Sequence, residues 1–215
     1  TLDGIFLSSG SDSNTLSANT AKSNNGAGID LNSSSNNTVI GNAAVSNLGS
    51  NGITLAGGSS RNRIERNIFR LHVIYGIEIS ASSGNWIAQN DVDSNTNYQI
   101  RITGNSSSDT FVKNNLKTSV TNPDSIVHNN STASTNKFTF TRNWWNSTDT
   151  GQIKKTIFQS SSGDSVIWQP FRLGPVDTAQ NADTVAPKAP DAVTIAAAAG
   201  ADTSVVLTWS GVTAS

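Results

Sequence analysis

The chain contains no cysteine and no methionine, only 2 histidines, and charged residues at just 13% of its 215 positions. Each scarcity removes a class of function. Without cysteine there is no disulfide framework, thiolate metal site or thiol nucleophile, and the redox compartment leaves no trace in the sequence. Two histidines and no sulfur leave little for copper or zinc to bind. A formal net charge of −1 offers no basic field to attract nucleic acid or an anionic membrane surface. Long apolar runs are missing too: no window approaches the roughly 18 residues of a membrane span, and the Ala-rich stretch from Ala192 to Ala201 is too short. No nucleic-acid partner and no membrane insertion are therefore expected. The chain opens on Thr1 without a signal-like segment and reads as a piece of a larger processed protein.

What is abundant is Ser, Thr, Asn and Gly, and it is patterned. Gly4-Ile5-Phe6-Leu7, Gly28-Ile29-Asp30-Leu31, Gly52-Ile53-Thr54-Leu55 and Gly76-Ile77-Glu78-Ile79 recur every 24 residues. Gln99-Ile100-Arg101-Ile102 follows 23 residues later, and Ser125-Ile126-Val127-His128 reads as a degraded sixth copy. A second motif interleaves: Asn, any residue, apolar, two residues, Asn. It occurs at Asn14 to Asn19, Asn37 to Asn42, Asn62 to Asn67 and Asn85 to Asn90, and continues from Asp109 to Asn114.

Alternation with period two indicates short strands, and each unit is too short to hold a crossover helix. One unit cannot bury its apolar face alone. Stacked about 4.8 Å apart, equivalent strands pair and the core becomes continuous. The sequence therefore predicts an all-β solenoid, a parallel β-helix of about five to six coils of about 24 residues. Leu16, Val39, Ile64, Ile87 and Phe111 form one expected inward ladder, and Ile29, Ile53, Ile77 and Ile100 another. Asn19, Asn42, Asn67, Asn90 and Asn114 are expected to form a structural ladder, because asparagine tolerates left-handed turns and its amide both donates and accepts.

These repeats resemble the pectin-lyase-like right-handed parallel β-helix superfamily, and within it the bacterial extracellular β-helix-repeat proteins. The resemblance covers residues 1–173, with Arg142 to Asp149, Ile153 to Phe158 and Val166 to Phe171 similar to a C-terminal cap over about 138–173. Asn146 stands where many relatives have Gly after the paired aromatics. Residues 174–190 read as a polar, Pro-bearing linker. Residues 191–215 hold two strands resembling the start of a fibronectin type III domain, Trp209 being the core ring, although such a sandwich needs roughly 100 residues. The resemblance implies a secreted or cell-surface setting. It also implies action on polysaccharides through clustered carboxylates, with or without calcium, and a basic residue. None of that superfamily's catalytic strings is present, so no catalytic residue is carried over.

Chemistry must then be sought by register. Asp91 and Asp93 point outward from one strand about 7 Å apart, with Arg70 and His72 on the coil before and Lys117 on the coil after. They are the weak catalytic candidates and the one place for calcium; no other cofactor or metal is expected. Ordinary surface ion pairing explains the same charges. Glu78 and Arg101 share another outward face, in a series with Asp30 and Thr54. Trp86 lies outside beside Arg63, so stacking of a sugar with Arg63 and Glu65 in support is expected, or else a protein contact. Glycosylation sequons begin at Asn32, Asn36, Asn105, Asn129, Asn130 and Asn146. The preferred function is a non-catalytic extracellular structural or carbohydrate-binding module. The alternatives are a polysaccharide lyase, hydrolase or epimerase, and a filament or surface-layer subunit. Partners are a polysaccharide or glycan, neighbouring domains of the same protein, and further copies through open β edges.

Overall fold

The computed structural model describes residues 2–118, 126–132, 137–160 and 165–178 in full, and 192–197 and 205–210 by their backbone. It forms two compact units, Thr1–Gln180 and Asn181–Ser215. In the first, short strands stack into three parallel sheets. Sheet A holds seven strands: Ile5–Ser8, Ile29–Asn32, Ile53–Ala56, Tyr75–Ser80, Tyr98–Gly104, Val127–Ser131 and Ile157–Gln159. Sheet B holds seven: Thr15–Ser17, Thr38–Ile40, Arg63–Glu65, Trp86–Ala88, Thr110–Val112, Lys137–Thr139 and Ser165–Ile167. Sheet C holds five: Thr20–Lys22, Ala43–Val45, Ile68–Arg70, Asp91–Asp93 and Asn115–Leu116. This is the predicted parallel β-solenoid.

Register follows the repeat. Ile29, Ile53, Ile77 and Ile100 align in sheet A, and Val39, Ile64, Ile87 and Phe111 in sheet B, all fully buried. Burying each such side chain contributes about 1.5–3 kcal/mol, which is what a charge-poor chain of short strands needs to offset ordering its backbone. The repeated glycines have a steric cause. A Cβ on Gly52 would lie 2.6 Å from the Gly76 carbonyl oxygen and 2.8 Å from His72 Nε2, and one on Gly28 would lie 2.6 Å from both Ala44 Cβ and Asn47 Nδ2.

Asparagine ladders close the corners. The backbone N–H and side-chain amide of Asn42 both donate to Asn67 Oδ1, at 2.8 and 3.0 Å, and Asn67 repeats this on Asn90, and Asn90 on Asn114. Asn19 is the exposed first rung, bonded to Asn42. The ladder ends on Asn143, whose Oδ1 takes both donors of Asn114. A second ladder runs Asn14, Asn37, Asn62, Asn85, Asp109, and a third Asn24, Asn47, His72, Asn95. Buried amides satisfied in this way retain the hydrogen bonding they would otherwise forfeit.

Three expectations change. The degraded sixth repeat is displaced by one residue: Val127 pairs with Ile100, His128 with Arg101 and Asn129 with Ile102. Because side chains alternate, that step turns His128 outward and buries Asn129. Secondly, the stretch read as a cap extends the stack, since Lys137–Thr139 and Ser165–Ile167 continue sheet B and Ile157–Gln159 continues sheet A. A helix, Thr150–Lys155, intervenes, with Asp149 Oδ1 accepting from the Gly151 and Gln152 N–H groups at its start. Its buried Ile153, with Trp145, Phe138 and Phe140, packs into the core. Thirdly, His72 is not on the surface beside Arg70 but buried in the third ladder, at 1% exposure.

In the second unit Ala192–Ala197 and Val205–Ser210 pair antiparallel, with Val193 opposite Trp209. The Trp209 side chain, and residues 179–190 of the expected linker, lie outside the described residues.

Candidate functional site

Sheet A brings together the richest set of polar and aromatic side chains. Its outward column runs Phe6, Asp30, Thr54, Glu78, Arg101, His128, Phe158, one residue per coil. Beside it Tyr75 and Tyr98 stack with ring centroids 5.8 Å apart, near the coil spacing, and Arg101 Cζ lies 5.2 Å from the centre of the Tyr75 ring. The His128 ring is 4.4 Å from Tyr98 and 4.7 Å from Phe158. The result is an aromatic ledge along a polar column.

The column is only partly satisfied. Arg101 Nη1 donates to Glu78 Oε1 at 2.9 Å, and Asn51 Nδ2 donates to Glu78 Oε2 at 2.8 Å and to Thr54 Oγ1 at 3.0 Å. Yet Asp30 Oδ1, Arg101 Nε and His128 Nδ1 are buried atoms without a hydrogen-bond partner among the described residues. Burial, then the nearby carboxylates of Asp3 and Glu78, push Asp30 up to about 6. Burial and then Arg101 lower the pKa of His128, so its ring is neutral at pH 7. Unsatisfied buried polar atoms each cost about 1–3 kcal/mol, and three in one column mark where an outside partner would relieve the cost. Sequence analysis had placed Asp30, Thr54, Glu78 and Arg101 in one outward series. It missed Tyr75, Tyr98 and His128, because the tyrosines precede the repeat motif and the histidine is reached only through the one-residue displacement.

The Asp91–Asp93 cluster is ion-paired from within the chain by Lys117. Lys117 Nζ stands between them, 3.3 Å from Asp91 Oδ1 and 3.3 Å from Asp93 Oδ2, and Arg70 pairs in register with Asp93. Partial burial opposes the Lys117 charge, but the two aspartates outweigh it and raise the lysine pKa. The ammonium thus holds the position between the carboxylates where calcium had been considered.

His72 belongs to no such cluster. Its Nδ1 accepts the Asn47 N–H at 3.2 Å, as an asparagine Oδ1 does elsewhere in the ladders, and its Nε2 lies 3.0 Å from the Ala44 carbonyl, where Asn47 and Asn42 place an amide N–H. This bonding fits the neutral ring with the proton on Nε2, and burial lowers its pKa to about 4.

Trp86, Arg63 and Glu65 meet on the outer side of sheet B. The indole is 44% exposed, its Nε1–H donates to Glu65 Oε1 at 3.0 Å, and Arg63 Nε lies 2.8 Å from Glu65 Oε2. Glu65, expected as a flanking surface contact, is instead buried beneath the other two, at 6% exposure. Of the sequon asparagines, Asn32, Asn36, Asn105, Asn130 and Asn146 are exposed. Asn129 is buried, with Oδ1 accepting the Ser131 N–H, so the folded chain does not present its amide for glycosylation.

Among the described residues no helix is long and apolar enough to cross a membrane. No curated protein sequence matches the chain. Two solved structures of the periplasmic alginate epimerase AlgG, one of them a point mutant, share the fold. The mutant aligns with TM-score 0.52 and 17% identity over 61% of this chain and 35% of its own, and the other with TM-score 0.51 and 19% identity over 60% and 36%. This chain thus spans about a third of the length of those structures. The fibronectin type III resemblance of the C-terminal strands gains no support from any comparison. The family model for a right-handed β-helix region matches residues 1–117, more than half of the 215. On that match, with which the three stacked parallel sheets agree, the chain belongs to the right-handed β-helix family.

Proposed function

We propose that this chain is a non-catalytic β-helix module of a larger exported protein, and that it binds a neutral polysaccharide along the outer face of sheet A. The observation that carries the reading is the column of unpartnered Asp30 Oδ1, Arg101 Nε and His128 Nδ1 beside the stacked Tyr75 and Tyr98 rings. A sugar chain supplies both complements: C–H faces for the rings and hydroxyls that donate to Asp30 and accept from Arg101. Charge favours neutral sugars, because two carboxylates, Asp30 and Glu78, stand against one guanidinium while His128 is neutral. The periplasmic setting of AlgG supports export.

Calorimetry of the whole chain against neutral and acidic polysaccharides, with and without calcium, tests this. A neutral glycan should bind, and Tyr98→Ala should weaken it by about tenfold or more, about 1.4 kcal/mol. Failure of every neutral glycan to bind the unaltered chain at millimolar concentration would sink the proposal.

A second reading, uronate epimerase or lyase chemistry on the same face, is favoured by one observation. Neutral His128, next to Tyr98 and Arg101, has the state and company a general base needs. Turnover of alginate that disappears in His128→Ala would replace the binding reading by the catalytic one.

A further inference from the structure

A second site, on a different sheet, has the opposite charge character. Arg61, Asn62, Arg63, Glu65, Gly84 and Trp86 line a depression of about 420 Å³, within the roughly 300–1,000 Å³ range of small-ligand sites. We propose that this depression binds a sugar residue carrying an anionic group, the indole of Trp86 taking the pyranose face and Arg61 and Arg63 the carboxylate or sulfate.

The ring is held in place before any ligand arrives. Buried Glu65 accepts the indole N–H through one oxygen and engages Arg63 Nε through the other, so a single carboxylate orients both the stacking surface and a cation. Arg61 is fixed from the opposite side, its Nε donating to Asn36 Oδ1 at 3.2 Å. Side chains already ordered lose less freedom on binding. Two guanidiniums stand against one carboxylate, which leaves a cation in excess, and a guanidinium recognises carboxylate or sulfate through paired donors.

The floor is open at Gly84. A Cβ there would meet only Arg61 Cγ, at 3.7 Å, and the backbone φ of +69° disfavours most side chains. The surroundings suit a sugar: in register with Arg63 and Trp86 on the neighbouring coils are Thr38 and Thr110, whose hydroxyls can both donate to and accept from sugar hydroxyls.

This site does not depend on the sheet A proposal, and one experiment separates them. The whole chain is titrated at low ionic strength with trigalacturonate, a sulfated galactose trisaccharide and neutral maltotriose. At least one acidic trisaccharide should bind about tenfold or more tighter than maltotriose, and which one identifies the anionic group. Arg61→Ala should erase that preference, and Trp86→Ala should abolish binding of the preferred acidic trisaccharide. Gly84→Asn, which suits the left-handed backbone and leaves the Glu65 contacts in place, should block the depression without altering the melting curve. Tyr98→Ala should leave acidic binding unchanged. Equal binding of acidic and neutral trisaccharides, no binding of either acidic one, or acidic binding that survives both Arg61→Ala and Gly84→Asn overturns the proposal.

Discussion

Asp109 and His72 occupy rungs where neighbouring coils place asparagine, and each imitates the amide in only one protonation state. Asp109 Oδ1 accepts the N–H and side-chain amide of Asn85 at 2.8 and 2.9 Å, but its buried Oδ2 has no partner among the described residues. An asparagine there would donate from that position, as would a protonated carboxyl. Burial, only partly opposed by the bonds from Asn85, pushes Asp109 up to about 7. Its folded pKa thus lies above the unfolded value, so its contribution is fully present below about 4 and is lost as pH rises through about 7. His72 works in the other direction: with a folded pKa near 4, its contribution is present above about 6.5 and is lost as pH falls toward 4. Between those limits the two slopes oppose one another. Asp109→Asn should therefore raise stability at pH 8 by roughly 2–4 kcal/mol and remove the loss of stability that Asp109 causes as pH rises toward 7. Denaturant midpoints of both chains at pH 4.5, 6 and 8 provide the check, and unchanged midpoints at pH 8 would show that Asp109 is solvated rather than buried.

At the scale of the element, strand register and glycine spacing are one constraint. Gly52 faces the Gly76 carbonyl and the His72 ring closely enough that no Cβ fits, and the adjoining Ile53 keeps its inward place only while that approach is kept. Gly52→Ala should destabilise the stack by about 1–3 kcal/mol, the usual penalty for overpacking, read as a fall in thermal midpoint. Gly174→Ala is a control for added bulk alone, since open space surrounds that position and its backbone does not need a positive φ. The recurring Gly and Asn were legible because stacking repeats every contact at the same period. Val127–Ser131 was not: its copy lacks the glycine and the regular apolar pair, so the choice between two registers fell to burial of Val127 and Asn129.

Across the whole molecule, stability is distributed coil by coil, since each coil bonds only to its neighbours. Ile5, Leu7 and Leu16 in the first coil are partly buried, whereas Ile53, Leu55, Ile64, Ile77, Ile79 and Ile87 in the middle are fully buried. Amide hydrogens of Ile53–Ala56 and Tyr75–Ser80 should therefore exchange more slowly than those of Ile5–Ser8, by on the order of a hundredfold. Hydrogen-exchange mass spectrometry measures this, and uniform protection along the stack would mean that unit 1 opens only as a whole. The solenoid, its period, its inward ladders and the first asparagine ladder were determined by the sequence itself, because a repeat in the chain becomes a column in space. The outward placement of Trp86 was likewise read from alternation alone. Which outward residues converge was decided by tertiary structure. Tyr75 reaches Arg101 on the next coil from the position just before the motif, Lys117 closes on both aspartates, and His72 turns inward to serve as an amide. Those outcomes depend on side-chain reach and on which buried atoms find partners, and neither is periodic.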